Sequence, residues 1–349
     1  MMVDSMYSKL ALVFLGLLLA AVHGMTETHR VEEHLKRYGG DWPPEYIPNT
    51  PGWKRQMDKR FKQVLEMDNR HKKYDGWMQT VNMAFLAPNF TEYGMGLVRA
   101  PEDLTLTLQH EIRTAVKEGK TRKEHSIDAI GGPNGCDFVD RPDLTQRVVT
   151  ELQPYTEAWV GMPLHPVLAY GFRLYLNESD LNMHVDKAQT HIISMIYHID
   201  RSEDSQPWPV LIEDFKGNTH EIELQPGDIL FYESSKCLHG RPSKYYGSWY
   251  TSVFVHYYPT NGWMDTDHNM ECHYAIPPWW DTEVPPQDKT QEPLDILGTS
   301  FKEHNCPNEW CNSQNTVKWS IGSEDGYWID GGMRKHEFTP GLVDRDEEL

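Results

Sequence analysis

Apolar residues recur at every fourth position through Leu104, Leu108, Ile112 and Val116, between Pro101 and Gly119. That spacing predicts an amphipathic helix with one buried stripe. Leu144, Val148, Leu152, Tyr155 and Trp159 form a second stripe, entered through Asp140 and Pro142, and Pro154 is expected to kink or end it. Residues 25–161 therefore read as an N-terminal helical region. Residues 42–53, with four prolines, read as an irregular segment within it. From residue 162 the pattern changes to short apolar runs. Residues 170–176, 191–199, 210–212, 219–224, 229–232 and 249–258 are strand-like. Gly217-Asn218 and Pro226-Gly227-Asp228 mark turns between them. Several short strands with no helical period between them indicate a double-sheet jelly roll or barrel over residues 162–260. Residues 261–349 are rich in Trp, Pro and acidic residues, and are expected to form a loop-rich C-terminal extension.

One apolar run is different in kind. Residues 10–22 are 13 unbroken apolar positions, after Lys9 and before His23-Gly24. A bilayer span needs about 20 residues, so this run predicts a signal peptide, residues 1–24, and not an anchor. No second run follows, and no membrane span is expected once the signal is removed. Asn89-Phe90-Thr91 and Asn177-Glu178-Ser179 are glycosylation sequons. Cys306 and Cys311, two of five cysteines, are spaced to close a small loop in an oxidising lumen. The chain ends Asp346-Glu347-Glu348-Leu349, which resembles the KDEL and HDEL retrieval signals with Glu347 in place of Asp. Together these place the expected site of action in the endoplasmic reticulum lumen, ahead of secretion. The net charge of −19 repels phosphate backbones and anionic lipid, so no nucleic-acid partner is expected.

The chemistry gathers at His184-Val185-Asp186, between two strand-like segments. In extended backbone, residues i and i+2 point to the same side, so both groups can reach one ion. A third ligand must come from elsewhere, and His239, 55 residues later, is placed to supply it at the mouth of the last strand. Two His and one carboxylate with open positions suit non-haem iron(II) oxygenases. His198-Ile199-Asp200 is a second His-x-Asp triplet, set aside because it belongs to the 191–199 strand.

Residues 170–259 resemble the catalytic domain of the 2-oxoglutarate/iron(II) dioxygenases, in particular the prolyl 4-hydroxylase-like branch. The likeness rests on Tyr175 nine residues before His184, His184-Val185-Asp186, Met195-Ile196-Tyr197, Pro226-Gly227-Asp228, and His239 with Gly247 eight residues later. It implies an α+β architecture: a double-stranded β-helix with the helical region packed on it. It also implies iron(II) held by His184, Asp186 and His239, with 2-oxoglutarate and O₂ as co-substrates and ascorbate as an auxiliary reductant. The implied reaction hydroxylates a protein or peptide, with proline the leading residue. Such enzymes grip the far carboxylate of 2-oxoglutarate with a basic residue, a Lys ten positions after the distal His in prolyl hydroxylases. Here Trp249 stands at that position. Arg173, sharing parity with Tyr175, is the first replacement, Arg241 the second and Lys244 the third. Thr190, Tyr197 and Tyr232 are further residues to test as cavity lining.

Two rivals come from other classes: a catalytically silent jelly-roll binding module, favoured by Trp249, and a cupin-like metalloenzyme that uses no 2-oxoglutarate. Other motifs fail. His110-Glu111 and His220-Glu221 lack the second His of a zinc-protease helix, and no phosphate loop, dinucleotide fingerprint or Gly-x-Ser-x-Gly elbow occurs.

Overall fold

Helices lead the described part of the chain: α1 (Glu27–Tyr38), α2 (Pro51–Leu65), and α3 (Arg70–Gly76), which runs through a π-helical turn at Trp77–Asn82 into α4 (Met83–Leu86). This computed structural model describes residues 27–41, 50–124, 129–280, 300–301, 317–320, 327–337 and 339. The apolar run 10–22, the Cys306/Cys311 pair and the tail 346–349 lie outside them. Of the segment expected to be irregular, Pro51-Gly52-Trp53 opens α2. Thr50 Oγ1 caps it by accepting from the Trp53 amide at 3.1 Å, and proline suits the first helical turn.

The strands follow as β1 (Met95–Arg99), β2 (Arg122–Lys123), β3 (Ile130–Gly131), β4 (Cys136–Phe138), β5 (Leu164–Tyr175) and β6 (Asp180–His184). Then come β7 (Ile193–Arg201), β8 (Val210–Glu213), β9 (Thr219–Glu223), β10 (Asp228–Tyr232), β11 (His239–Arg241) and β12 (Tyr250–Pro259). Short strands β13 (Ser300–Phe301), β14 (Val317–Ser320), β15 (Tyr327–Asp330) and β16 (Lys335–Glu337) complete the set. Helices α5 (Glu102–Lys117) and α6 (Pro142–Val160) precede β5, and α7 (His268–Tyr274) follows β12. One sheet runs β16-β15-β1-β10-β7-β12-β5-β4-β2 and the other β13-β6-β11-β8-β9-β14, with β3 on β6. Strands β5 to β12 are divided between the two sheets, β5, β7, β10 and β12 facing β6, β8, β9 and β11. This is the double-sheet jelly roll expected from the sequence.

The helical region also supplies strands. β1 pairs with β10 and β4 with β5, so part of the 25–161 stretch is built into the larger sheet. The C-terminal part likewise holds more than loops: β13 pairs with β6, β14 with β9 and β15 with β1. The turn between β8 and β9 spans residues 214–218, longer than the two-residue Gly217-Asn218 turn suggests.

Two of the predicted helices clad the larger sheet. Helix α5 buries Leu104, Leu108 and Ile112 as its period requires, and clips onto β7 through Thr105 Oγ1 to Tyr197 Oη at 2.7 Å and Arg113 to Asp200 at 2.6 and 3.1 Å. Helix α6 does not end at Pro154 but runs to Val160, and Gly161 closes it at φ +75°. Leu152, Thr156, Trp159 and Val160 are buried on both sides of the proline, and Trp159 stacks on Phe231 at 5.3 Å. That burial outweighs one lost backbone bond.

His198, from the triplet set aside, is fully buried against Tyr250 with ring centroids 4.0 Å apart, and its Nδ1 donates to the Thr251 carbonyl at 3.0 Å. Burial pushes its pKa well below 6.5. The unfolded chain therefore takes up a proton that the native ring refuses. The contribution to stability is complete above the unfolded value and is lost as pH falls below it. His198→Phe is expected to flatten the acid loss of stability by about 1.4 kcal/mol per pH unit between roughly pH 6 and 4. Denaturant titrations of both proteins across that range measure it, and equal slopes would refute the assignment.

The sequons part company. Asn177 is exposed, whereas the Asn89 amide nitrogen is buried and its Oδ1 accepts from Lys236, leaving no room for a glycan in the folded chain.

Candidate metal centre

His184 ends β6 and His239 begins β11, and the register of that antiparallel pair sets the two residues directly opposite each other. Their rings lie 4.4 Å apart. Gly240 makes the pairing possible: a Cβ there would sit 2.7 Å from the Asn182 carbonyl oxygen and 2.8 Å from that of Leu181. Asp186 follows β6, its amide donating to Ser234 O at 2.9 Å. Asp186 Oδ1 is 3.6 Å from His184 Nε2, and Oδ2 is 3.9 Å from His239 Nε2. The three donor atoms lie within 4.8 Å of one another, so one ion can touch all three. His239 thus opens a short strand of its own, and not the last strand, as its place in the sequence suggests.

Each imidazole is held by its other nitrogen. His184 Nδ1 donates to Asn182 O at 2.7 Å and His239 Nδ1 to Cys237 O at 2.9 Å. Backbone carbonyls therefore fix the tautomer that aims each Nε2 lone pair at the common point. Burial pushes His239 down to about 4, with the neighbouring His184 adding to it. For Asp186 burial pushes upward, but His239, His256 and His184 outweigh it and hold the carboxyl at about 2. At neutral pH the carboxylate is ionised and His239 is neutral, the forms that bind a metal.

These groups open onto a cavity of about 330 Å³. Its apolar wall includes Leu168, Val185, Ile196 and Phe254, and its polar wall adds Arg173, Lys187, His191 and His256. Tyr232 lines it as the sequence suggests, with Oη 3.5 Å from Asp186 Oδ2. Tyr197 does not, since its hydroxyl turns outward to Thr105, and Thr190 serves His191 Nδ1 at 2.8 Å.

The three basic candidates have separate fates. Arg173 is 7% exposed and grips Glu124 with two bonds of 2.7 and 2.8 Å, while its Nη1 donates to Tyr175 Oη at 3.2 Å, so the shared parity of Arg173 and Tyr175 is real. Lys244 is at the surface, 3.8 Å from Glu178. Arg241 is 1% exposed, sandwiched 4.7 Å from the Trp208 ring and 4.8 Å from that of Tyr250. Its Nη2 donates to Tyr250 Oη at 3.1 Å, but Nε and Nη1 are buried without a hydrogen-bond partner among the described residues. Tyr175 accepts from Arg173 and sets its ring 4.9 Å from Trp208, the ring that Arg241 also faces.

Sequence reasoning missed Glu124, His191 and His256. His256 carries a weak signal, the parity of Phe254 on a strand already recognised. Glu124 carries none, because only the sheet brings it to Arg173.

No protein-family model and no curated protein matches this chain. Solved structures do resemble it. A prolyl-4-hydroxylase from Pseudomonas putida is 14% identical, with 51% of this chain and 100% of that one covered, at a TM-score of 0.34. HygX from Streptomyces hygroscopicus, with nickel and 2-oxoglutarate bound, is 10% identical, with 48% and 84% covered and a TM-score of 0.36. A prolyl hydroxylase from Trichoplax adhaerens, in complex with a hypoxia inducible factor oxygen degradation domain peptide fragment, is 10% identical, with 58% and 97% covered and a TM-score of 0.38.

Proposed function

We propose that this chain is an iron(II)- and 2-oxoglutarate-dependent dioxygenase that hydroxylates a protein or peptide in the secretory pathway, with prolyl residues the leading target. The convergence of His184, Asp186 and His239 at the floor of a cavity carries the reading. Two imidazole nitrogens and one carboxylate fit iron(II) and leave positions open for a chelating co-substrate. Bound iron with 2-oxoglutarate and O₂ supplies the oxidising power, releasing succinate and CO₂ as a C–H bond becomes C–OH.

The residues do the rest. His184, Asp186 and His239 hold the ion. Arg241 grips the far carboxylate, in preference to Arg173, because two of its buried nitrogens await an acceptor while Arg173 is committed to Glu124. Leu168, Val185, Ile196 and Phe254 keep water from the reacting carbon. The apolar run 10–22 supports a luminal location.

The test is succinate formation by the mature protein with iron(II), ascorbate and 2-oxoglutarate, followed by peptide profiling with mass spectrometry. Iron-dependent succinate is expected. Its absence, together with no 2-oxoglutarate binding, would return the binding-module or cupin-like reading.

A further inference from the structure

A hydrogen-bond chain behind the cavity decides which nitrogen of His256 carries its proton. Ser234 Oγ lies 2.7 Å from the His191 carbonyl oxygen, which can only accept, so Ser234 spends its proton there. Ser194 Oγ lies 2.6 Å from Ser234 Oγ and must donate across that contact. Ser194 then has no proton left for His256 Nδ1 at 2.8 Å, and Nδ1–H must be the donor to Ser194. The ring is 7% exposed, tilted 30° against His191 at a centroid distance of 3.9 Å, and no described residue hydrogen-bonds to its Nε2, so a second proton there would be buried without an acceptor and the ring is neutral. Its Nε2 is therefore a bare lone pair. No described residue donates to it, and the ring lines the cavity. His256 is not a fourth metal ligand: the nitrogen nearest Asp186 is Nδ1, 3.8 Å from Oδ2, and its proton belongs to Ser194.

We propose that His256 is a substrate-positioning residue whose Nε2 accepts a hydrogen bond from a main-chain N–H of the bound peptide, on a residue adjoining the target, since a target proline carries none of its own. The inference rests on the peptide-hydroxylase reading. Ser194 and Ser234 are its support, because they hold the ring in the accepting tautomer. An acceptor this close to the metal ligands fixes the approach of one backbone unit, and a small misplacement there slows reaction more than it weakens binding.

Two measurements test it. In the full chain loaded with Zn(II) and labelled at histidine nitrogens, two-bond ¹H–¹⁵N spectra should show His256 protonated at Nδ1 and bare at Nε2. The opposite tautomer overturns the proposal. With the iron(II) enzyme, a peptide drawn from a randomised pool by its stimulation of succinate release is compared with versions N-methylated at each amide. One N-methyl group should cost wild type about 10–100-fold in kcat/KM, the worth of a well-placed hydrogen bond, and should cost His256→Phe nothing further. His256→Gln, which can donate to Ser194 and still present a carbonyl oxygen, should recover the sensitivity. Losses that simply add overturn the proposal and leave the hydroxylase reading intact. A wild-type enzyme that no peptide stimulates overturns the peptide reading, and this proposal with it.

Discussion

Asp186→Asn is expected to abolish metal binding and leave the metal-free fold standing. The substitution keeps shape and volume and removes the charge that sits among His184, His239 and His256. The pull that holds Asp186 at about 2 needs charged imidazoles, and at neutral pH burial keeps His239 and His256, at about 4 and about 3, uncharged, so without an ion they offer the carboxylate little there. The metal-free variant should therefore unfold within about 1 kcal/mol of wild type, as substitutions that break no strong pairing do. The loaded protein behaves differently. An ion present at a thousandfold excess over its Kd stabilises the native state by about 4 kcal/mol, and a 100-fold loss of affinity in the variant would forfeit about 2.7 kcal/mol of that. Removing a direct ligand should cost more than the 10–100-fold in affinity typical of losing an outer partner, so affinity should drop by over about 100-fold. Thermal melts with and without Mn(II) or Co(II) separate the two effects. A variant that keeps the wild-type shift would show that the ion binds elsewhere.

How much of this was legible in the sequence follows from what each strand is made of. β7, β10 and β12 are buried along nearly their whole length, so they read as continuous apolar runs whose bounds lie within a few residues of the strands. β6 and β11 carry no such signal. The first is only Asp180–His184, with Leu181 and Met183 facing in and polar residues between, and the second is His239-Gly240-Arg241 with no apolar side chain at all. Both are strands because of partners far along the chain, a cause that local propensity does not record. The site depends on these two elements. The ligands could still be named, since same-side geometry at i and i+2 holds in any extended segment. That logic links His239 to Arg241 as well. The bond from Arg173 to Glu124, 49 residues upstream, is invisible to a one-dimensional reading.

Arg241 and Arg173 should respond to the same substitution with opposite signs. Arg241→Met is expected to stabilise the metal-free protein. It removes a guanidinium 1% exposed with Nε and Nη1 unpaired, and fills the slot between Trp208 and Tyr250 with an unbranched apolar chain. Each buried polar group left unsatisfied costs about 1–3 kcal/mol, so a gain of that order is expected in denaturant titrations. Arg173→Met does the reverse. It strands the Glu124 carboxylate, whose side chain is 3% exposed, and breaking one side of a buried pair typically costs about 3–5 kcal/mol. Co-substrate binding sorts them again. Two hydrogen bonds to a carboxylate at about 1.5–3 kcal/mol each mean that Arg241→Met should weaken 2-oxoglutarate binding to the Zn(II)-loaded protein by about 100-fold or more. Calorimetric titration reads that loss directly. A protein that grows more stable while losing its co-substrate identifies a charge kept unpaired in the fold for the sake of a ligand. A destabilised Arg241→Met variant with unchanged 2-oxoglutarate affinity would instead make Arg241 a structural residue and return the anchoring role to the Arg173 side of Tyr175.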